Sequence, residues 1–341
     1  MRVDELGEFA LIARLQRHLL GQTSPQIIRS VGDDCAVLRP AAGMDLLLTT
    51  DTQEEGVHFR CDWSLPEDIG WRCLAVNVSD IAAMGGSPLG AVVALSLPAM
   101  LDVAFVEALY DGMQAVATRY DCPVIGGNIS RSIGRLSVTI TVLGEVPHGQ
   151  SVCRAGAQVG DEIWVTGSLG GARAGLEVLR HPEAVPGLPT EGVLTRYRRP
   201  HPRLREAQYL RQHACLHSLL DISDGLSSDL RHICEASGVG AQLEAACIPI
   251  AADVQQIATA LQADVLAFAL HGGEDFELCL TAPPGILAPL QPVLQTQFCC
   301  PLVRVGTIQS GSGVALCLKD GTQVPLVAGG YDHFRAAASQ D

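Results

Sequence analysis

The chain has 341 residues, enough for two domains whose cores need no disulfide or metal staples. Asp and Glu outnumber Lys and Arg 37 to 23, a net charge of −14, which excludes gripping nucleic acid or a membrane surface through bulk charge. Of the basic residues only one is lysine, Lys319, so any mechanism that needs a catalytic lysine has a single candidate.

The elements follow in order. Residues 5–20 carry Phe9, Ile12, Ala13, Leu19 and Leu20 at helical spacing and predict a first helix. Residues 44–50 are an apolar run ending at Asp51, as in a buried strand. Pro66, Glu67 and Asp68 open a second helix, with proline and acids at its positive end, and it runs to Gly85-Gly86. Residues 90–97 predict a strand. Asp102 caps an amphipathic helix with Val106, Leu109, Met113, Val116 and Tyr120 on one face. Strands are predicted over 122–126 and 136–146. Pro147, Gly149, Gly156 and Gly160 mark a boundary, which places an N-terminal domain over 1–148 and a C-terminal domain over 149–341. The second half restarts with a strand over 161–166 and a helix after Gly170-Gly171. Residues 181–200 read as loop or short helix. Strands and helices alternate through 219–280, with a late strand over 313–318. The fold class is α/β.

The twelve cysteines form no C-x-x-C pair, and Met1–Glu5 lacks the charge pattern of a signal peptide. Free thiols in a cytoplasmic protein are expected. The stretch over 90–109 is the most apolar, but Pro98, Asp102 and Glu107 break it, so no membrane span is expected.

Several acids stand in the company of Gly, Ser and Thr beside apolar runs. These segments are Gly32-Asp33-Asp34, Thr49-Thr50-Asp51, Asn77-Val78-Ser79-Asp80, Asp221-Ile222-Ser223-Asp224-Gly225 and Gly272-Gly273-Glu274-Asp275. Half-buried carboxylates that converge repel one another, and a hard divalent cation relieves them. Oxygen donors of this kind suit magnesium rather than zinc. Asn77 and Asp80 are three residues apart on the second helix and share a face. Two glycine-rich stretches are candidates for holding phosphate. Gly126–Arg131 follows a predicted strand, and Gly167–Gly171 precedes a predicted helix, where free N–H groups favour anions. No G-x-x-x-x-G-K-[ST] loop and no G-x-S-x-G nucleophile turn occurs. If the chain handles ATP, metal ions and arginine must neutralise its phosphates.

Seven segments then occur in order: GDDCAV (32–37), TTDTQEEGVHF (49–59), NVSDIAAMGGSP (77–88), GGNIS (126–130), DISDGLSSDL (221–230), GGEDFEL (272–278) and GYDHF (330–334). Together they resemble the thiamine-monophosphate kinases, of the superfamily that includes aminoimidazole ribonucleotide synthetase and selenophosphate synthetase. The resemblance runs from about residue 8 to 334. It implies a homodimer in which the N-terminal domain contributes strands to an inter-subunit barrel, beside a C-terminal α/β domain. It further implies phosphorylation of thiamine monophosphate to thiamine diphosphate by direct in-line transfer from ATP, with several magnesium ions. A potassium ion is also compatible with it. Carried over by motif, the metal ligands are Asp34, Thr49, Thr50, Asp51, Asp80, Asn128, Asp221 and Asp224. The ATP contacts are Gly127, Asn128, Arg154 and Ser223. His58, Glu274 and Tyr331 line the thiamine site. No covalent nucleophile or general base is implied. Asn128 stands where the family more often has Asp, which keeps an oxygen ligand and removes a charge.

Overall fold

The computed structural model describes residues 1–19, 24–31 and 35–330. The chain divides into two compact units. One is Met1–Ser151 with the returning segment Arg198–Leu204, and the other is Val152–Tyr197 with the chain from Arg205 onward.

In the first unit the helix predicted over 5–20 is broken. Helix α1 (Val3–Leu6) and helix α2 (Glu8–Leu15) are separated by Gly7 at φ +82, and a 3-10 turn follows over Gln16–Leu19. Gly7 adopts a backbone conformation that side chains disfavour, so it closes one helix and opens the next. Short strands β1 (Ile27–Arg29) and β2 (Val37–Leu38) pair with each other. Then come β3 (Met44–Glu54), α3 (Pro66–Ala83), β4 (Ser87–Pro98), α4 (Val103–Tyr120), β5 (Val124–Ser132) and β6 (Ser137–Pro147).

These four long strands form one sheet in the order β3-β6-β4-β5. Only β4 and β5 are parallel, because α4 carries the chain back between them. Helices α3 and α4 cover one face. They approach closely because glycines stand at their crossing: a Cβ on Gly70 would lie 1.8 Å from the Leu109 carbonyl oxygen, and one on Gly112 would lie 2.0 Å from that of Glu67. Leu74, Ile81, Val93, Leu95, Leu109, Met113, Val138 and Ile140 fill this core. The other face carries Leu46 and Leu48, 55% and 72% exposed. The sheet is open within this chain. The returning segment is anchored to the same unit: Trp71 Nε1 donates to the Pro200 carbonyl at 2.8 Å, Arg198 Nε donates to that of Trp63 at 2.8 Å, and Arg199 pairs with Asp68.

The second unit runs β7 (Glu162–Thr166), α5 (Gly171–Arg180), α6 (Glu191–Arg198), α7 (Leu204–His213), β8 (Ser218–Asp221), α8 (Leu226–Ser237), β9 (Gly240–Glu244), α9 (Ala252–Ala260), α10 (Val265–His271), β10 (Leu278–Ala282), α11 (Gln291–Phe298), β11 (Leu302–Gln309), β12 (Gly313–Cys317) and β13 (Gln323–Pro325). Its seven-stranded sheet has the order β13-β12-β9-β11-β7-β10-β8 and is antiparallel except between β12 and β9. Ile163, Val165, Leu220, Leu230, Ile233, Leu243, Val305 and Ile308 form its main core.

Two glycine-rich stretches depart from expectation. Gly126–Arg131 is no loop after a strand; it lies inside β5, paired with β4 from Val92 to Leu97. A Cβ at Gly127 would fall 2.2 Å from the Val93 carbonyl oxygen, so glycine there serves the close approach of the two strands. Gly167–Gly171 does precede a helix. The N–H groups of Gly170 and Ala172, however, already donate to the buried carboxylate of Asp275, at 2.6 and 3.1 Å. An internal acid takes the place foreseen for phosphate.

Candidate functional site

In the first unit the alternation of β3 sorts the candidate side chains between two faces. Thr49 and Asp51 point to the side covered by α3, where Thr49 Oγ1 donates to Asp80 Oδ2 at 2.5 Å. Burial, then the charge of Asp80, then a hydrogen bond with it push the Asp51 carboxyl from its ordinary value of 3.8 up to about 6. Two carboxylates forced together in a half-buried place, with a hydroxyl on one of them, fit a hard divalent cation.

Thr50 points to the open face. Its hydroxyl donates to the Ile140 carbonyl at 3.1 Å and accepts from Thr141 at 3.0 Å. The ladder pairs Thr52 with Thr139, Thr139 with Ala94 and Ala94 with Asn128, which puts Asn128 on that open face too. The structure therefore brings together Thr49, Asp51 and Asp80, and leaves the side chains of Thr50 and Asn128 on the other side of the sheet. Gly127 is on the row of Asp51, Ile140 and Val93, at the far edge of the sheet. His58 sits in the turn that ends β3, where its Nδ1 accepts the Glu54 N–H at 3.0 Å. In the neutral ring this leaves the proton on Nε2. Asp34 lies outside the described residues.

In the second unit two loops are laced together through their backbones. Glu274 N–H donates to the Ser223 carbonyl at 2.7 Å, Phe276 N–H to that of Ile222 at 2.9 Å, and Ile222 N–H to that of Glu277 at 2.7 Å. Glycines permit the approach: a Cβ on Gly273 would lie 2.5 Å from the Ser223 carbonyl oxygen. Asp221 closes β8, and Ser223 and Asp224 follow in the loop to α8. Ser223, Asp224 and Glu274 are thus neighbours. Glu274 and Phe276 both hold positive φ, +68 and +50. That conformation is costly for side-chain-bearing residues and persists here under the surrounding hydrogen bonds. The chain before Tyr331 reaches the same place. Gly330 N–H donates to Ser228 Oγ at 3.1 Å, and a Cβ on Gly330 would lie 2.5 Å from the Asp224 carbonyl oxygen. Tyr331 itself lies outside the described residues. Arg154 is exposed, and the carbonyl of its neighbour Cys153 accepts the Leu219 N–H at 3.1 Å, which lays this segment along β8.

Two acids in the quoted motifs carry more than was assigned to them. Asp229 Oδ2 accepts the N–H groups of Asp224 and Gly225 at 3.1 and 3.0 Å. Burial and the charges of Asp221 and Asp224 push its carboxyl up to about 8, against the pull of those two bonds. Asp224, Asp229 and His232 each offer a ligand atom within 4.8 Å of the others. Asp275 is pushed up to about 7, chiefly by burial, while the N–H groups of Gly170 and Ala172 pull it down. The signal for both was present in the sequence: each is an additional acid inside a glycine- and serine-rich motif. Lys319 stands in an exposed turn after β12.

The model of the AIR synthase related protein, N-terminal domain, matches residues 32–146, and that of the C-terminal domain matches residues 158–291. The thiamine-monophosphate kinase of Escherichia coli strain K12 is 38% identical over 332 residues, covering 96% of this chain and 98% of that protein. Among solved structures, the thiamine-monophosphate kinase of Stenotrophomonas maltophilia K279a superposes with a TM-score of 0.80 at 38% identity, covering 93% of this chain and 97% of that one. AaThiL complexed with AMPPCP and TMP superposes with a TM-score of 0.76 at 34% identity, covering 98% and 99%. Among the described residues, no helix is long and apolar enough to cross a membrane.

Proposed function

The chain belongs to the thiamine-monophosphate kinase family, and we propose that it transfers the γ-phosphoryl group of ATP directly to thiamine monophosphate, giving thiamine diphosphate and ADP. The single observation that carries this reading is the lacing of the 221–225 loop to the 272–277 loop. It sets a proposed ATP contact, Ser223, and a proposed cation ligand, Asp224, beside a proposed thiamine contact, Glu274.

The acceptor is a phosphate monoester with a second pKa of about 6, so it is largely ionised at neutral pH. No general base is required to make it a nucleophile. The obstacle is the repulsion of two polyanions, and a bound magnesium ion supplies charge neutralisation at the phosphates. Thr49, Asp51 and Asp80 would hold such an ion in the first unit, and Asp221 and Asp224 in the second; Asp34 belongs to the proposed set, and the side chains of Thr50 and Asn128 would serve only a cation on the open face of the sheet. Arg154, Gly127 and Asn128 contact ATP. The single lysine, Lys319, lies in none of the motifs, so arginine and the cations carry the phosphate charge. Glu274 offers a negative charge to the cationic thiazolium ring, His58 lines the proposed thiamine site, and Tyr331 adds a ring face worth about 0.5–2 kcal/mol to a cation. The protein acts as a homodimer in the cytoplasm. The uncovered face of the four-stranded sheet, with exposed Leu46 and Leu48, supplies the dimer surface.

The test is incubation with ATP, magnesium, potassium and thiamine monophosphate, followed by chromatography for thiamine diphosphate. Free thiamine is run beside it to read the specificity for the monophosphate. Formation of ADP without thiamine diphosphate overturns the proposal.

A further inference from the structure

Asn77 lies in the middle of α3 and is fully buried. Its Nδ2 donates to the Cys73 carbonyl, one turn back, at 3.1 Å. Its Oδ1 is buried with no hydrogen-bond donor among the described residues. A buried acceptor left alone is costly, and native proteins rarely tolerate one without a use. The amide cannot simply be turned round, because Oδ1 would then be set against the Cys73 carbonyl oxygen, acceptor against acceptor.

The direction of this oxygen follows from helix geometry. Nδ2 is drawn toward the turn before Asn77, so Oδ1 faces away from it. Asp80 is three residues ahead, on the same face. Side chains on a helix lean toward its N-terminus, so the Asp80 carboxylate lies over the turn that contains Asn77. That carboxylate is the one bonded to Thr49 and crowded against Asp51. We propose that Asn77 Oδ1 is an outer-shell partner for the cation of the Asp51–Asp80 pair, placed to accept a hydrogen bond from a water that the cation would carry. This rests on the cation reading of that pair.

The role has a thermodynamic signature that an ordinary structural residue lacks. Replacing Asn77 by leucine, of similar size, removes the orphaned acceptor. The only hydrogen bond lost is one to a helix carbonyl. The cation-free protein should then melt at or above the wild-type temperature while binding its cation more weakly. Loss of an outer-shell partner typically weakens metal binding about 10- to 100-fold. Asn77→Asp keeps an oxygen donor and adds a charge, so it should bind the cation at least as tightly as wild type while the cation-free protein loses stability.

The experiment titrates Mn2+ into the full chain, freed of metal by EDTA and dialysis, without nucleotide. Binding is followed by electron paramagnetic resonance, and melting is recorded with and without the ion. Asp80→Asn serves as the control. The inference predicts weaker binding in Asn77→Leu by at least about tenfold, with undiminished cation-free stability, and retained binding in Asn77→Asp. Wild-type affinity in Asn77→Leu alongside weakened affinity in Asp80→Asn overturns the role of Asn77 and leaves the cation site standing. Wild-type affinity in both overturns the cation reading itself. If Asn77→Leu does not fold, Asn77→Asp decides: weaker Mn2+ binding in that folded variant overturns the inference.

Discussion

Removing the charge of Asp51 should make the cation-free protein more stable at neutral pH and inactive as an enzyme. Its carboxyl is pushed from 3.8 to about 6, first by burial and then by Asp80. A raised pKa means that the folded state holds the proton more tightly than the unfolded state. The stabilising contribution is full below about pH 4 and is lost as pH rises through about 6. A difference of about 2 units, at about 1.4 kcal/mol each, amounts to about 3 kcal/mol. Asp51→Asn cannot ionise and keeps that contribution in alkaline solution. Urea denaturation of both proteins in EDTA, from about pH 4 to pH 8, reads the effect. The variant should gain on wild type by about 2–3 kcal/mol across that range. Asp229 and Asp275 also have raised values, but they titrate in both proteins and cancel in the difference. Magnesium should narrow the gap, because it stabilises only the protein that binds it. A difference that stays flat with pH would refute the reasoning, since it would show that Asp80 and burial place no penalty on the Asp51 charge.

Other outcomes follow from single contacts. Glu274→Gln should raise KM for thiamine monophosphate about tenfold, with KM for ATP and kcat nearly unchanged in steady-state assays, because it removes a charge that serves binding. Gly127→Ala drives a Cβ to 2.2 Å from the Val93 carbonyl oxygen, a backbone atom that cannot swing aside, and thermal melts should show a loss of about 1–3 kcal/mol. Asp275→Ala leaves the N–H groups of Gly170 and Ala172 without their acceptor, and denaturation at about pH 4, where the raised pKa of Asp275 carries little penalty, should show a loss of about 1–3 kcal/mol. Leu48→Asp, on the open sheet face, should convert a dimer to a monomer in light scattering; an unchanged mass places the dimer surface elsewhere.

The long elements were legible because their patterns are strong. The strand over 44–50, the helix opened by Pro66 and the helix after Asp102 appear as β3, α3 and α4, although the Asp102 side chain makes no capping hydrogen bond. Composition misled where glycine has two uses. Gly127 serves strand approach rather than a loop, and only the neighbouring strand reveals that. The Gly167–Gly171 turn has the N–H groups expected of an anion site, but the acid that takes them, Asp275, is more than a hundred residues away. Local sequence carries no record of such a partner. The split of Thr49 and Asp51 from Thr50 follows from strand alternation and was readable once residues 44–54 are taken as one strand. Asn128 needed the register across three strand pairs, which the sequence does not encode locally. The orphaned oxygen of Asn77 is likewise a property of packing.

The most direct test of direct, metal-assisted transfer uses ATP made chiral at its γ-phosphorus by oxygen isotopes, with magnesium and thiamine monophosphate. A single in-line displacement with no covalent enzyme intermediate inverts that centre, so thiamine diphosphate should carry its terminal phosphorus with inverted configuration. Retention would contradict the account by showing two successive displacements through a residue on the protein, and the absence of thiamine diphosphate would contradict it outright.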